Sequence, residues 1–272
     1  MKKRALSCTA VLLTLIFLTA CSAGNGRTVS LDGSTSVEKV IGALTEGYRE
    51  LDNSVTINYS GTGSGAGIEA VLSGVCDIGL SSRALKDSEL RKGAVAHIIA
   101  LDGIAVIIHA QNPITDLTVR QLSDIFTGTI TNWSQLGGHN APIAAYGREA
   151  GSGTRSAFEE ILGITDRCIY TNEYSSNGDI LGNISTNPNG IGYVSLSGVN
   201  TGVRAIRING VPCVEDTIRD GTYALQRPFL MVTSSGRPLS AEAQAFLDYA
   251  MSDKVAEYIS IAGAIAPNRS EE

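Results

Sequence analysis

Apolar residues follow two alternating spacings along the first part of the chain. Positions three or four apart are apolar at 37–48 and 66–73, which predicts two helices with buried faces, the second ending at Gly74. The alternation in "SVTINYS" predicts a strand between them, and "CDIGLSS" is typical of a buried strand after them. Strands and helices that alternate in this way predict α/β layers around a largely parallel sheet.

The pattern of strands and helices continues through the remaining chain, but the stretch after His109 is more polar. "AHIIALDGIAVIIHA" supplies two apolar strand runs, and the polar "QNPITDLT" that follows is a plausible crossing segment between domains. Asn209-Gly210 is a strong signal for a hairpin turn. The sequence also predicts helices at 119–126, 158–162 and 240–261, and strands in "APIAAYGRE", "NGIGYVSLSG" and "LQRPFLMVT".

The N-terminus has the pattern of an export signal. A basic start is followed by an apolar run at 10–18, which is too short for a membrane span, and by "LTAC" ending at Cys21. The last four residues resemble a bacterial lipobox, which implies cleavage before Cys21 and lipidation of that cysteine. The alternative is an ordinary signal peptide, 1–20, followed by a chance cysteine. Residues 21–27 are then expected to form a flexible tether.

Charge and composition exclude some classes of protein. The chain has 272 residues, enough for two domains, and 30 glycines, which suggests that tight loops matter. Loss of the three basic residues in 1–20 leaves 18 Lys and Arg against 27 Asp and Glu, a net charge of −9. That balance argues against a nucleic-acid partner but not against a small anion, because local donors can outweigh distant charge.

Three loops place Ser, Thr and Gly where a helix begins: "DGSTSVEKVIGAL", "YSGTGSGAGIEAVL" and "REAGSGTRSAFEE". The first backbone N–H groups of a helix lack partners inside it, and the helix dipole adds positive charge there, so such an end can bind an anion. Arg148 adds a planar fork suited to an oxyanion. For any one loop, simple helix capping is an adequate alternative. Three such loops together favour one shared anion site.

An enzyme is not supported by the residues. Ser64 and Ser152 lie in Gly-Ser-Gly but not in a nucleophile elbow, and no nucleotide P-loop is present. The histidines, His97, His109 and His139, suit structural or surface positions, so the serines have no evident base. Neither a cofactor nor a metal is expected.

The cysteines outside the expected signal leave two possibilities open. Cys76 lies in an apolar stretch and is expected to be buried. Cys168 and Cys213 form the preferred disulfide pair, while two buried free thiols are nearly as plausible. No cysteine spacing is typical of a zinc site.

Several stretches, in their order, resemble the phosphate-binding protein of the bacterial phosphate ABC importer. They are "DGSTSVEKV", "YSGTGSGAGIEAVLSGVCDIGLSSR", "LDGIAVIIHAQNPITDLTVRQLSDIFTGTITNWSQLGG", "REAGSGTRSAFEE" and "STNPNGIGYVSLSG". The resemblance implies an α/β, two-lobed periplasmic-binding-protein-like fold of type II, with the ligand in the cleft between lobes. Lobe one would comprise 27–108 and 229–272, and lobe two 109–228, with crossings near 109–112 and 223–229.

The same resemblance implies the ligand contacts, among which Arg148 alone carries a formal charge. Ser34, Gly63 and Gly65 would only shape the loops. The implied phosphate contacts are Thr35, Ser36, Ser64, Ser82, Arg148, Ser152, Gly153 and Thr154.

One departure from the family concerns proton recognition. Well-known members carry an aspartate where this chain has Ser82, and that carboxylate accepts the proton of hydrogen phosphate. Ala150 stands where those members have an acid beside the arginine. Asp77 and Asp102 are possible substitutes, although structural roles are preferred for both, and a surface ion pair is the preferred role of Arg83.

The expected function is that of a solute-binding receptor. The resemblance implies a monomeric lipoprotein on the outer face of the cell membrane that delivers inorganic phosphate to the permease subunits of an ABC importer. Because the aspartate is missing, a receptor for sulfate, molybdate or phosphonate is the alternative. An extracellular esterase or phosphatase ranks well below both.

Overall fold

The computed structural model describes residues 27–267, and its β-strands lie between Arg27 and Ser234. The strands are β1 (Arg27–Gly33), β2 (Val55–Ser60), β3 (Ile78–Ser81), β4 (Ala94–His109), β5 (Asp116–Leu117), β6 (Ala144–Arg148), β7 (Asn172–Tyr174), β8 (Gly190–Ser195), β9 (Val203–Ala205), β10 (Arg207–Ile208) and β11 (Gln226–Ser234).

Helices lie between most of these strands. They are α1 (Glu38–Leu51), α2 (Ser64–Ser73), α3 (Asp87–Arg91), α4 (Val119–Phe126), α5 (Gly153–Ile161), α6 (Asn177–Thr186), α7 (Glu215–Arg219), α8 (Ala241–Ala250) and α9 (Ala256–Ile261). Short 3₁₀ helices cover Thr35–Val37, Trp133–Leu136, Leu196–Gly198 and Asp253–Val255. The last of these separates α8 from α9, so the continuous helix expected at 240–261 is wrong.

One mixed sheet connects the molecule from end to end, in the order β2-β1-β3-β11-β4-β8-β6-β7. The pairs at both ends are parallel: β1 pairs with β2 and β3, and β6 pairs with β7 and β8. The pairs in the middle, made by β4 and β11, are antiparallel. The expectation of a largely parallel sheet therefore holds for the two ends and not for the centre.

Strand β4 is a single strand of 16 residues, where the sequence predicted two. Asp102 and Gly103 interrupt the apolar pattern but not the backbone pairing, because β11 pairs with β4 across both residues. Asp102 is therefore a buried charged residue within a continuous strand and does not end it.

Two main hydrophobic cores flank the middle of the sheet. The first core packs α1, α8 and α9 against β1 to β3, and Tyr48 meets Phe246 edge-on with ring centroids 5.2 Å apart. The second core packs α4, α5 and α6 against β6 and β8. Along β4, Ala100 belongs to the first core and Ile104 to the second, while Leu225, just before β11, belongs to the second core and Phe229 on β11 to the first. Both long strands thus pass from one core to the other.

Two local predictions have different outcomes. Asn209 and Gly210 have φ values of 53° and 78°, and Ile208 and Val211 form an antiparallel bridge around them, so the predicted turn is confirmed. Cys76, Cys168 and Cys213 are all free, so the preferred Cys168–Cys213 disulfide is wrong. The alternative of free thiols is the correct one, although Cys168 is only partly buried.

The expected signal peptide, Cys21 and residues 21–26 lie outside the described residues. Arg27, the last residue of the expected tether, already belongs to β1 and pairs with Asp52 and Glu242. Between residues 27 and 267, no helix is both long and apolar enough to cross a membrane.

Candidate functional site

The three polar loops each begin a helix, as the sequence predicts. The 3₁₀ helix at Thr35–Val37 is capped by Ser34, whose hydroxyl accepts the Ser36 amide at 3.2 Å. Ser64 is the first residue of α2. Ser152 caps α5, and its hydroxyl accepts the Arg155 amide at 3.4 Å. Capping therefore occurs in two of the loops, but it occupies only one hydroxyl in each.

Hydroxyls of the loops meet one another in a buried hydroxyl cluster formed by Ser34, Ser36, Ser64, Ser82 and Thr154. Ser36 and Thr154 share a hydrogen bond of 2.7 Å, which joins the first and third loops. Ser34 donates to the Ser82 hydroxyl at 2.8 Å. Ser64 lies 3.4 Å from the same oxygen and accepts the Ser82 amide at 3.1 Å. The structure thus joins by a hydrogen bond two residues, Ser36 and Thr154, that are 118 positions apart.

Glycines allow this close approach. A Cβ atom on Gly153 would lie 2.7 Å from Ser82 Oγ and 2.8 Å from Ser64 Cβ, which is closer than real Cβ contacts. The Gly65 amide donates to the Gly151 carbonyl at 3.2 Å, which joins the second and third loops. Gly63 has a φ of 99°, a conformation that L side chains rarely adopt.

Arg148 lies beside the cluster with only 1% of its side chain exposed. Its Nη2 donates to the Thr35 hydroxyl at 3.0 Å and to the Ser175 carbonyl at 2.7 Å. Its Nη1 donates to Asn177 Oδ1 at 3.1 Å, and its Nε donates to the Tyr174 carbonyl at 3.2 Å. All of these acceptors are neutral, so they orient the guanidinium without neutralising its charge.

One acid lies close to this arginine. Glu149 Oε1 is 3.3 Å from Arg148 Nη2, and the Glu149 side chain is 36% exposed. The other carboxylate oxygen, Oε2, is buried and has no hydrogen-bond partner. The acid expected from the resemblance is missing at Ala150, but Glu149, one residue earlier, places a carboxylate beside the arginine.

The backbone of Arg148 is held by a second layer of side chains. The Tyr193 hydroxyl accepts the Arg148 amide at 3.3 Å and lies 2.9 Å from the Tyr170 hydroxyl, which donates to Glu159 at 3.0 Å. Burial raises the pKa of both tyrosines, so both remain protonated donors. Arg155 donates to the Arg148 carbonyl at 2.9 Å and to Glu159 at 2.8 Å.

Asn177 is a site residue that the sequence reasoning missed. Besides accepting from Arg148, its Nδ2 donates to the Ser36 hydroxyl at 3.3 Å, so it bridges the arginine and the hydroxyl cluster. It begins α6, and Ser176 caps that helix by accepting the Asp179 amide at 3.1 Å. The stretch "YSSNGD" is thus a fourth polar loop that begins a helix, and its composition was a usable signal.

The other charged candidates have structural roles. Asp77 accepts from the Ser30 amide at 2.8 Å and from its hydroxyl at 2.6 Å. Asp102 pairs with Arg227 at 2.8 Å. Arg83 forms an ion pair with Glu89 at 2.7 Å, as expected, but the Arg83 side chain is only 5% exposed, so the expected surface location is wrong.

His97 and His109 form hydrogen bonds with residues outside the hydroxyl cluster. His97 Nε2 is 2.9 Å from the Thr233 hydroxyl, and burial lowers the pKa of this imidazole. His109 accepts the Gln111 amide at 3.2 Å. Within residues 27–267, no group of His, Cys, Asp and Glu is arranged to hold a metal ion. The site is therefore a set of neutral donors around one guanidinium.

Comparison with known proteins identifies the family. A family model described as the PBP superfamily domain matches residues 19–254. The chain belongs to the PBP superfamily. This membership agrees with the two cores joined by β4 and β11, and the two-lobed periplasmic-binding-protein fold expected from the resemblance is confirmed.

Several PBP superfamily members are similar over most of their length. A substrate-binding protein from Clostridium perfringens, assigned to phosphate ABC transport and solved with bound phosphate, is 38% identical, with a TM-score of 0.86 over 89% of this chain and 100% of that one. An ABC-type phosphate transport receptor from Vibrio cholerae is 34% identical, with a TM-score of 0.75 over 88% and 100%. The phosphate-binding protein PstS of Bacillus subtilis is 28% identical over 85% of this chain and 77% of its own. The resemblance to phosphate-importer binding proteins is confirmed.

Proposed function

We propose that this chain is an extracytoplasmic receptor that captures inorganic phosphate and delivers it to an ABC-type membrane importer. The observation that carries the proposal is the convergence of three helix N-termini and their hydroxyls on one buried arginine, whose acidic partner, Glu149, is only partly buried. The names of its relatives as phosphate-binding proteins support the same ligand. Those relatives are binding proteins of transporters, so the chain is not an enzyme.

The ligand contacts in this proposal are the residues expected from the sequence together with Asn177. Thr35, Ser36 and Thr154 would turn their hydroxyls from one another to the phosphate oxygens, and Arg148 would supply the charge. A hydrogen bond to a charged group contributes about 1.5–3 kcal/mol, and micromolar affinity needs about 8 kcal/mol. Six to eight such donors are sufficient, with the excess offset by stripping water from the anion.

Binding is expected to hold two lobes together. We propose the two expected lobes, 27–108 with 229–272 and 109–228, with the first boundary shifted towards Asp102, because β4 passes from the first core to the second between Ala100 and Ile104. Donors from both lobes meet in the hydroxyl cluster, so ligand would favour the closed arrangement. The closed receptor then presents one shape to the permease subunits. In the same proposal the protein is a monomer on the outer face of the cell membrane, anchored through lipidated Cys21.

Another oxyanion is the second candidate, and one observation favours it. Position 82 is a serine whose hydroxyl contacts those of Ser34 and Ser64, so the carboxylate that the resemblance leads one to expect there is missing. Sulfate, molybdate or phosphonate would then compete with phosphate on similar terms.

Isothermal titration calorimetry with purified protein tests both candidates. We expect phosphate to bind with micromolar or tighter affinity, and a hundredfold excess of sulfate to leave most of the phosphate heat intact. Absence of phosphate heat at micromolar concentration would reject the proposal. Tighter binding of sulfate or molybdate than of phosphate would make that anion the proposed ligand.

A further inference from the structure

A second arginine lies at the point where the long strands pass from one core to the other. Arg227 on β11 is directly opposite Asp102 on β4, and its Nε and Nη2 donate to one Asp102 oxygen at 2.9 and 2.8 Å. The two side chains are 1% and 0% exposed. Removing both charges from water is costly, so such a pair is weak evidence for stability alone.

The free edge of this guanidinium reaches the hydroxyl cluster. Arg227 Nη1 donates to the Ser82 carbonyl at 3.1 Å. Ser82 in turn contacts Ser34 through its hydroxyl and Ser64 through its amide. Arg227 therefore fixes the backbone of a residue that belongs to the proposed phosphate site, while remaining outside that site itself.

The other end of the ion pair reaches the second core. The second oxygen of Asp102 accepts from the Ser195 hydroxyl at 2.8 Å, and Ser195 shares a hydrogen bond of 2.7 Å with Ser197. The Ser197 carbonyl accepts from Lys39 Nζ at 2.6 Å, and Lys39 lies on α1 beside the first core. The pair thus connects the Ser82 loop to the end of β8.

We propose that Arg227 is a positioning residue for the phosphate site, holding the Ser82 loop in register with the two crossing strands. The inference rests on the proposed function. Its consequence is that the Ser82 hydroxyl and the Ser64 helix start keep their place when the lobes move about β4 and β11. Arg227 acts through the Ser82 carbonyl and has no contact with the ligand in this proposal.

The geometry requires an arginine. A guanidinium is planar and presents donors on two edges, so it can bind Asp102 and the Ser82 carbonyl together. A lysine ammonium at this position keeps the charge but cannot reproduce the two-edged contact. Arg227→Lys therefore separates the effect of the positive charge from the effect of holding the Ser82 carbonyl in place.

The test measures phosphate affinity by calorimetry and stability by urea unfolding, on the full chain purified in detergent. Arg227→Lys is expected to raise the phosphate Kd about tenfold, the equivalent of one hydrogen bond. The neutral double variant Arg227→Met with Asp102→Leu removes both buried charges, so it is expected to fold with equal or greater stability. It should nevertheless bind phosphate about tenfold more weakly, a combination that a purely structural role does not produce.

Glu89→Gln is the matched control, because it breaks the Arg83–Glu89 ion pair one residue further along the same loop. We expect this variant to lose stability with phosphate affinity unchanged. If Arg227→Lys does not fold, the double variant decides the question. Phosphate binding as tight as that of the unmodified chain in the double variant overturns the inference, and so does an equal loss of affinity in Glu89→Gln. Failure of the unmodified chain to bind phosphate overturns the proposed function as well.

Discussion

The cleft and the crossing strands each bury one arginine, and the two arginines have opposite surroundings. Arg227 is held by a fully buried carboxylate, which cancels its charge inside the protein. Arg148 is equally buried, but its acceptors are mainly two backbone carbonyls, an amide and a hydroxyl, with the partly exposed Glu149 beside them. Burial of a cation without a buried counterion is unfavourable unless a ligand supplies the negative charge. The contrast shows which arginine is available to an anion.

The largest effect is expected from Arg148→Ala. This change removes the only formal positive charge among the proposed contacts and should weaken phosphate binding about 100-fold, since hydrogen bonds to a charged ligand contribute about 1.5–3 kcal/mol each. Calorimetry measures the loss. Arg120→Ala is the control, because Arg120 is 91% exposed on α4. Equal phosphate affinity in the two variants would show that Arg148 does not bind the ligand. Arg148 and Arg227 would then not differ in their availability to an anion.

Gly153→Ala is expected to weaken binding about tenfold, an effect of the size of one lost hydrogen bond. The added methyl group would crowd Ser64 and Ser82, so the hydroxyl cluster could not keep its geometry. Gly151→Ala, two residues earlier, is the matched control, since a Cβ there meets nothing within 4 Å. Titration of both variants with phosphate checks this prediction. It is contradicted if the two variants bind alike.

A smaller effect is expected at the contact between α1 and the end of β8. Lys39→Ala removes the hydrogen bond to the Ser197 carbonyl, which joins the two cores beside the cleft. This hydrogen bond is part-buried and does not touch the ligand, so we take the net contribution of a typical intramolecular hydrogen bond, about 0.5–1.5 kcal/mol, and expect the phosphate Kd to rise about threefold. Lys92→Ala breaks the exposed Lys92–Glu69 pair and serves as control. A larger loss of affinity than that of Gly153→Ala would show that the Lys39–Ser197 hydrogen bond matters more than the hydroxyl cluster.

The smallest effect concerns the thiols. Burial raises the pKa of Cys76 and Cys168 to about 11 and that of Cys213 to about 12. The thiolate is the reactive form, so at pH 8 the folded protein should react with a thiol reagent very slowly at all three positions. Protein lacking residues 1–21 should release three thiol equivalents in denaturant without reductant. A count of one would restore the Cys168–Cys213 disulfide.

The sequence predicted most of the local structure because local chemistry determines it. The helix starts at the three polar loops, the end of α2 at Gly74 and the Asn209-Gly210 turn depend on neighbours along the chain. The meeting of the three polar loops could be predicted because each loop by itself shows Ser, Thr and Gly at the start of a helix. The single strand β4 was missed because Asp102 looks like a strand end until its partner is known.

That partner lies 125 residues away, and no local pattern connects Asp102 with Arg227. Asn177 was missed for a different reason. Its loop has the polar composition of the other three, but its contact with Arg148 arises only when β6 and α6 are folded beside each other. Distant pairs of polar residues are thus the part of the site that composition and spacing do not reveal.

A crystal structure of the protein with phosphate tests the central claim most directly. The account predicts phosphate oxygens bonded to Arg148 and to the hydroxyls of Ser36 and Thr154, with the Thr35–Arg148 and Ser36–Thr154 hydrogen bonds replaced by bonds to the ligand. The Asp102–Arg227 ion pair should be unchanged. Phosphate bound elsewhere, with Arg148 still held only by protein oxygens, would contradict the account.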